Sequence, residues 1–243
     1  MGGDNAPREL VRGALAAAEE YGVEIVMIGN RAEIDKVAAE DSLDLSSVEI
    51  VHTEVKIDME DDAVSVVRAK KDSSMSLGLY MLRDGECDAF VSAGNSGALH
   101  VGSSLIVRKI KGVRRAGIAT VLPMKKPLLL MDCGANIEVV PEDLVQWGTM
   151  GAIYMNSIYG IKSPTVGLVN NGVEETKGTP TEIEAYKLFK EADVNFAGNI
   201  EAREIPNAPC DVLVTDGFTG NAILKLIEGM GSFIFSELKT MFL

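Results

Sequence analysis

Histidine, cysteine and positive charge are all scarce in this chain of 243 residues, and each shortage removes a class of function. Only His52 and His100 exist, one ending a strand-like run and the other inside a helical pattern. A His-based catalytic triad or a zinc centre is therefore improbable. Cys87, Cys133 and Cys210 lie far apart with no CxxC pair, so neither a disulfide framework nor a metal site is expected, and a reducing cytoplasm suits them. With 23 basic against 36 acidic residues the net charge is −13, which argues against a phosphate-rich nucleic acid as partner. Neither G-x-x-x-x-G-K nor G-x-G-x-x-G occurs, which removes the usual nucleotide loops. No run approaches the roughly 18 consecutive apolar residues of a spanning helix, so a soluble, cytoplasmic chain is expected.

What is present is a 47% apolar composition, enough for a full core. Short Val- and Ile-rich runs alternate with longer helix-period segments, the pattern of βαβ units around a mostly parallel sheet. The expected strands are "VEIVMIG" from Val23, "VEIVHT" from Val48, "DAFVS" from Asp88, "AGIATVLP" from Ala116, "LLLMD" from Leu128, "TVGLVN" from Thr165, "VNFAG" from Val194 and "DVLVTD" from Asp211. Helical stripes cover 7–21, 63–69, 75–82, 97–110, 141–159, 181–192 and 222–242. No low-complexity linker interrupts them, and the chain reads as one continuous domain over 1–243. "MGGDN" has the chemistry of a turn that follows a strand, so a preceding strand is expected outside the sequence, and the apolar end of the last helix suggests a further C-terminal portion.

Ligands of open α/β sheets bind beyond the carboxyl ends of strands, where loops and helix N-termini carry unpaired N–H groups. Five loops occupy such positions: "MGGDN" from Met1, "SAGNSG" from Ser92, "DCGAN" from Asp132, "NNGVEETKG" from Asn170 and "TDGFTGN" from Thr215. The frame of Val, Ser or Thr, any residue, Gly, any residue, Ser or Thr, Gly occurs twice, at Val91 and Val214. Glycines permit close main-chain approach to an anion, while carboxamides and hydroxyls donate without charge. One such loop serves turn geometry as readily as a ligand; five together favour an oxyanion site.

The expected substrate-binding positions are Gly3, Asp4, Asn5, Gly94, Asn95, Ser96, Gly97, Asn136, Asn171, Glu174, Gly217, Thr219 and Gly220. Lys177 is the only cation in the five loops and suits phosphate or developing negative charge. It ranks first as a catalytic candidate, ahead of Asp216 and Asn221. Asp4, Asp132 and Asp216 suit either a base or a turn cap. Cys133 reads as a small buried residue rather than a nucleophile. The run "RKIKGVRR" gathers Arg108, Lys109, Lys111, Arg114 and Arg115, suited to docking an acidic partner or to lying near helix C-termini.

"MGGDNAP", "SAGNSGAL", "IVRKIKGVRR", "DCGAN", "PEDLVQWG", "NNGVEETKG", "NFAGNIEARE" and "VTDGFTGNAILK", in this order, resemble the bacterial phosphate acyltransferase family called PlsX. The resemblance implies a three-layer α/β/α fold with a mostly parallel sheet, like isocitrate dehydrogenases and phosphotransacetylases. It implies that orthophosphate attacks the thioester of a fatty acyl group on acyl carrier protein, giving acyl phosphate for phospholipid synthesis. No cofactor and no metal is implied. A homodimer, contact with a membrane surface, and docking of the acidic carrier protein on Arg108–Arg115 are. Two alternatives stand beside it. One is a phosphotransacetylase that uses coenzyme A. The other is a non-catalytic organiser of lipid enzymes that lies on a membrane through Ile223, Ile227, Met230, Ile234, Leu238 and Met241.

Overall fold

A computed structural model describes the chain except for Met1, Asp4 and Leu243. It forms two compact units, Met1–Lys111 and Gly112–Leu243. In the first, Pro7 precedes helix α1 (Arg8–Tyr21), whose chain then reverses at Gly22 in the left-handed region, φ 64°. Strand β1 (Val26–Gly29) and strand β2 (Glu49–His52) pair in parallel, joined by helix α2 (Arg31–Asp41). Val11, Met27, Ile34 and Val37 form one small core there. Helix α3 (Ser74–Asp84) lies against β1, and Gly78 admits Phe90 and Ile28 so closely that an added Cβ would stand 2.2 Å from the Phe90 ring. Helix α4 (Ser96–Gly102) completes a second core of Ile57, Val66, Met75, Leu79, Ala98 and Ile106.

The second unit is a five-stranded sheet. Its strands are β3 (Ala119–Pro123), β4 (Pro127–Met131), β5 (Thr165–Asn170), β6 (Asn195–Glu201) and β7 (Val212–Val214), in the order β3-β4-β7-β5-β6. Only β3 runs antiparallel to its neighbour. The side-chain period of two sends successive residues of β4 to opposite faces. Leu129 and Met131 join Trp147, Met155 and Phe189 on the side of helix α5 (Pro141–Tyr159) and helix α6 (Pro180–Glu191). Leu128 and Leu130 join Ile205 and Ile223 on the side of helix α7 (Gly217–Phe242). This is the expected three-layer α/β/α arrangement around a mostly parallel sheet.

Several elements differ from expectation, among them a short 3-10 helix at Ala202–Asn207 that no expected stripe covers. Residues 88–92 run without strand pairing, and Val91 is 91% exposed. A β-prone run becomes a strand only where a neighbour takes its N–H and C=O groups, and among the described residues none does. The stripe at 97–110 is α-helical only to Gly102 and widens into a π turn over Ser103–Val107. Helix α2 has no counterpart among the expected helices, because charged residues dominate it and only Ile34, Val37 and Ala38 are buried. Its start is nonetheless signed by Asn30, whose Oδ1 accepts from the N–H groups of Ala32 and Glu33.

Candidate functional site

The parallel strands β4, β7 and β5 are neighbours, so the loops that follow them share one edge of the sheet. Those loops are 132–136, 215–221 and 171–178, three of the five expected from the sequence.

The first two interlock. Gly217 donates its N–H to the Asn136 carbonyl at 2.7 Å, and the Asp132 N–H reaches the Thr215 carbonyl at 3.0 Å. A Cβ on Gly220 would lie 1.9 Å from the Asp132 carbonyl oxygen, and one on Gly217 would lie 2.7 Å from the Asn136 nitrogen. Both positions exclude any side chain. Gly217 and Gly220 thus set the close approach of these two loops.

The buried Asp132 carboxylate fills the centre of its own loop. Its Oδ1 accepts from the N–H groups of Ile118, Gly134 and Ala135, and its Oδ2 from the Asn136 N–H and Nδ2. Asn136 Nδ2 also donates to the Ala116 carbonyl, so both its side chain and its N–H serve the protein's own oxygens. Asp216 does the same for α7. Its Oδ1 accepts from Phe218 and Thr219 N–H groups at 2.9 Å, a helix cap, while Oδ2 has only a 3.5 Å contact from the Thr215 hydroxyl. The hydroxyl of Thr219 and the exposed carboxamide of Asn221 take no protein partner among the described residues. Asn221 stands open beside Gly134, whose absent Cβ would be 3.8 Å from its Oδ1.

The third loop carries Lys177. Its ammonium is exposed and forms no ion pair among the described residues, whereas the nearby Glu175 is paired with Lys190 at 3.2 Å. The Lys177 stem and the Glu174 carboxylate fold over Gly172, where a Cβ would meet each at 2.9 Å. Asn171 is exposed, and its N–H donates to Asn170 Oδ1 at 2.8 Å. The N–H groups of Gly172 and Val173 have no partner among the described residues. These donors and the ammonium are what this edge offers an anion.

In the first unit the loops at Gly3 and Gly94 also meet. Gly3 adopts φ +104°, and a Cβ there would lie 2.6 Å from the Ala93 carbonyl; one on Gly2 would be 3.4 Å from Gly94 Cα. Asn5 is exposed and lends its carbonyl to the Glu9 N–H. Asp4 lies outside the described residues. Asn95 is fully occupied: Oδ1 caps α4 through the Ala98 N–H, and Nδ2 faces the carbonyls of Asp58, Met59 and Asp61. What remains accessible are the exposed Ser96 and Gly97 at the helix start. A cavity of about 260 Å³ opens at the carboxyl ends of β1 and β2, lined in part by Glu33, Glu54, Asp58 and Glu60. Four carboxylates against one lysine, Lys56, make it a poor place for phosphate.

The basic run divides. Arg114 and Arg115 are anchored to the buried carboxylate of Asp143, with Arg114 Nε at 3.0 Å and Arg115 Nε at 3.8 Å. Arg115 further donates to the Glu138 carbonyl at 2.7 Å. Arg108, Lys109 and Lys111 belong to the other unit and are exposed. Cys133 is buried beside Asp132, and burial, with the neighbouring charge, pushes its thiol up from the ordinary value, which disqualifies it as a thiolate nucleophile at neutral pH.

Sequence reasoning passed over Asn170 and Asn199. Asn170 Nδ2 donates to the Lys177 carbonyl at 3.0 Å, and Asn199 Nδ2 to the Glu174 carbonyl at 2.8 Å. The available signal was a carboxamide inside a β-prone run, where it is normally depleted.

A family model described as "Fatty acid synthesis protein" matches residues 1–242. A phosphate acyltransferase of Alkaliphilus oremlandii is 47% identical over 244 residues, spanning 100% of this chain and 73% of that protein. One of Clostridioides difficile is 41% identical over 245 residues, spanning 100% and 72%. Among solved structures, EutD phosphotransacetylase from Staphylococcus aureus superposes with a TM-score of 0.66 at 16% identity, over 93% of this chain and 80% of its own. A phosphotransacetylase from Streptococcus pyogenes gives 0.65 at 17%, with the same coverage. The structural neighbours establish the phosphotransacetylase-like fold; the sequence relatives go further, and by their span and identity the chain belongs to the fatty acid synthesis protein family, the PlsX family of phosphate acyltransferases.

Proposed function

We propose that this protein transfers a fatty acyl group from the thioester of acyl carrier protein to orthophosphate, forming acyl phosphate for phospholipid synthesis. The observation that carries the reading, beyond family membership, is the exposed Lys177 ammonium, without an ion pair among the described residues, at the carboxyl edge of the parallel sheet. Hydrogen phosphate is the nucleophile, so no protein hydroxyl or thiol needs activation. One of its oxygens bonds to the thioester carbon, the carbonyl becomes an oxyanion, and the carbon–sulfur bond breaks. The phosphate's own proton ends on the departing thiol, which balances the step. The protein's task is to hold anions and stabilise the oxyanion.

Lys177 supplies the charge, with the carboxamides of Asn171 and Asn221, the Thr219 hydroxyl and the free N–H groups of Gly172 and Val173 as neutral donors. Asp216 sets the 215–221 loop by capping α7 through its Oδ1, and its Oδ2, with only the 3.5 Å contact from Thr215, is the less engaged oxygen. Asn136, Gly217 and Gly220 build the same loops from within. In the first unit Gly3, Gly94 and Asn95 shape the loop that displays Ser96 and Gly97, a separate set of donors for substrate. Arg108, Lys109 and Lys111, exposed in the first unit, suit docking of an acidic carrier protein; Arg114 and Arg115 of the second unit are also exposed and are tied to Asp143. The enzyme acts in the cytoplasm as a homodimer.

Incubation with orthophosphate and acyl thioesters of either acyl carrier protein or coenzyme A, with hydroxylamine trapping of the product, tests this. Phosphate-dependent hydroxamate from the carrier-protein thioester supports it. Hydroxamate from the coenzyme A thioester alone would make the protein a phosphotransacetylase. One observation favours contact with a membrane surface as well: Met230, Phe233, Ile234, Leu238 and Met241 of α7 are exposed. No helix among the described residues is long and apolar enough to cross a membrane. Vesicle binding without acyl phosphate formation would favour the organiser instead.

A further inference from the structure

We infer that Asn199 is a positioning residue for Lys177, an inference that rests on the role just given to that lysine. Asn199 sits on β6, opposite Leu168 of β5, and is 5% exposed. Its Nδ2 donates to the Glu174 carbonyl at 2.8 Å, and that same carbonyl accepts the Lys177 N–H at 3.1 Å. The Glu174 oxygen is thus the pivot of the turn that ends at Lys177. From β5, Asn170 holds the other side through the Lys177 carbonyl, while Gly178, at φ +99°, leaves no room for a Cβ against the Asn170 carboxamide. Two strand-borne amides therefore fix the backbone on which the exposed ammonium is mounted.

Asn199 Oδ1 is buried and has no hydrogen-bond partner among the described residues. An idle buried acceptor is unfavourable, and a β-branched residue would suit the strand better, so the useful half of this side chain is its donor. A mount fixed before substrate arrives leaves less disorder to remove in the transition state, which is how a residue away from the chemistry alters rate without altering binding.

The test compares Asn199→Ala and Asn199→Asp with Lys177→Ala and with the Asn199→Ala/Lys177→Ala double variant, using thermal melting to confirm folding. Asp keeps the size of Asn but turns an acceptor towards the Glu174 carbonyl. Both single Asn199 variants should lose about tenfold or more in kcat with KM for the thioester nearly unchanged. Exchange of the Lys177 amide hydrogen should quicken about tenfold, a readout that does not depend on turnover. The double variant should be no slower than Lys177→Ala, because groups acting through one another are not additive. Native kcat and native exchange in the Asn199 variants, or losses that multiply in the double variant, would overturn the inference. If Lys177→Ala is crippled while the Asn199 variants are not, only the positioning role fails. If Lys177→Ala turns over normally, the reading of Lys177 fails and takes this inference with it.

Discussion

At the scale of single residues, several buried or half-buried carboxylates in this protein organise backbone. Asp132 and Asp216 absorb the N–H groups of the loops that carry them, and Asp211 does related work at the opposite ends of the strands. Its Oδ2 accepts from the Thr165 N–H and hydroxyl at 2.8 Å, and its Oδ1 from Lys126 at 2.6 Å. Burial alone would raise its pKa, but Lys126 and Thr165 outweigh burial and hold it below the ordinary aspartate value. A folded-state pKa that is lowered contributes stability above the ordinary value and loses it as pH falls through the lowered one. Asp211→Asn should therefore cost about 1–3 kcal/mol at neutral pH, with a smaller deficit in strong acid, read from urea denaturation across that range. The neighbouring Cys210 is buried and pushed up to about 12, chiefly by desolvation, so it stays a neutral thiol throughout. Which acids would cap and which would face solvent was not legible in the sequence. An Asp before a glycine signs a turn, and whether its lone pairs then meet N–H groups depends on how the next three residues fold back.

At the scale of elements, small residues decide how closely α5 meets the sheet. A Cβ on Gly148 would stand 2.6 Å from the Phe189 ring, and one on Gly151 would stand 2.5 Å from Val212. Phe189 is wholly buried and stacks on Phe196 with centroids 4.7 Å apart, so it has nowhere to retreat. Gly148→Ala should destabilise the fold by about 1–3 kcal/mol through overpacking despite its better helix propensity, as a urea midpoint would show. Helix α5 was fully legible, because Pro141 opens it, Gly160 closes it and its apolar period never lapses. The second half of α7 was legible as helix but not in its packing. Ile223 and Ile227 join the core, while the rest of its apolar stripe is exposed. The run at 88–92 was misleading for the reverse reason, since strand propensity is local and strand pairing is not.

At the scale of the whole molecule, a net charge of −13 works against the proposed docking of an acidic carrier protein. Arg108, Lys109 and Lys111 offer a local exception, and steering by such a patch weakens as salt screens it. The apparent affinity for acyl carrier protein should fall severalfold between about 50 and 200 mM salt, and further in Arg108→Ala. Affinity indifferent to salt would remove the patch from docking. The edge carrying the candidate site was legible as a set of loops, because three of the five expected loops follow neighbouring strands of the sheet. It was not legible which donors stay open, since that depends on bonds formed between loops distant in sequence. The account turns on Lys177, the lysine of these loops, which forms no ion pair among the described residues. The rate of acyl phosphate formation by Lys177→Ala tests it most directly: a fall of about a hundredfold or more with an unchanged melting temperature is predicted, and near-native turnover would contradict it.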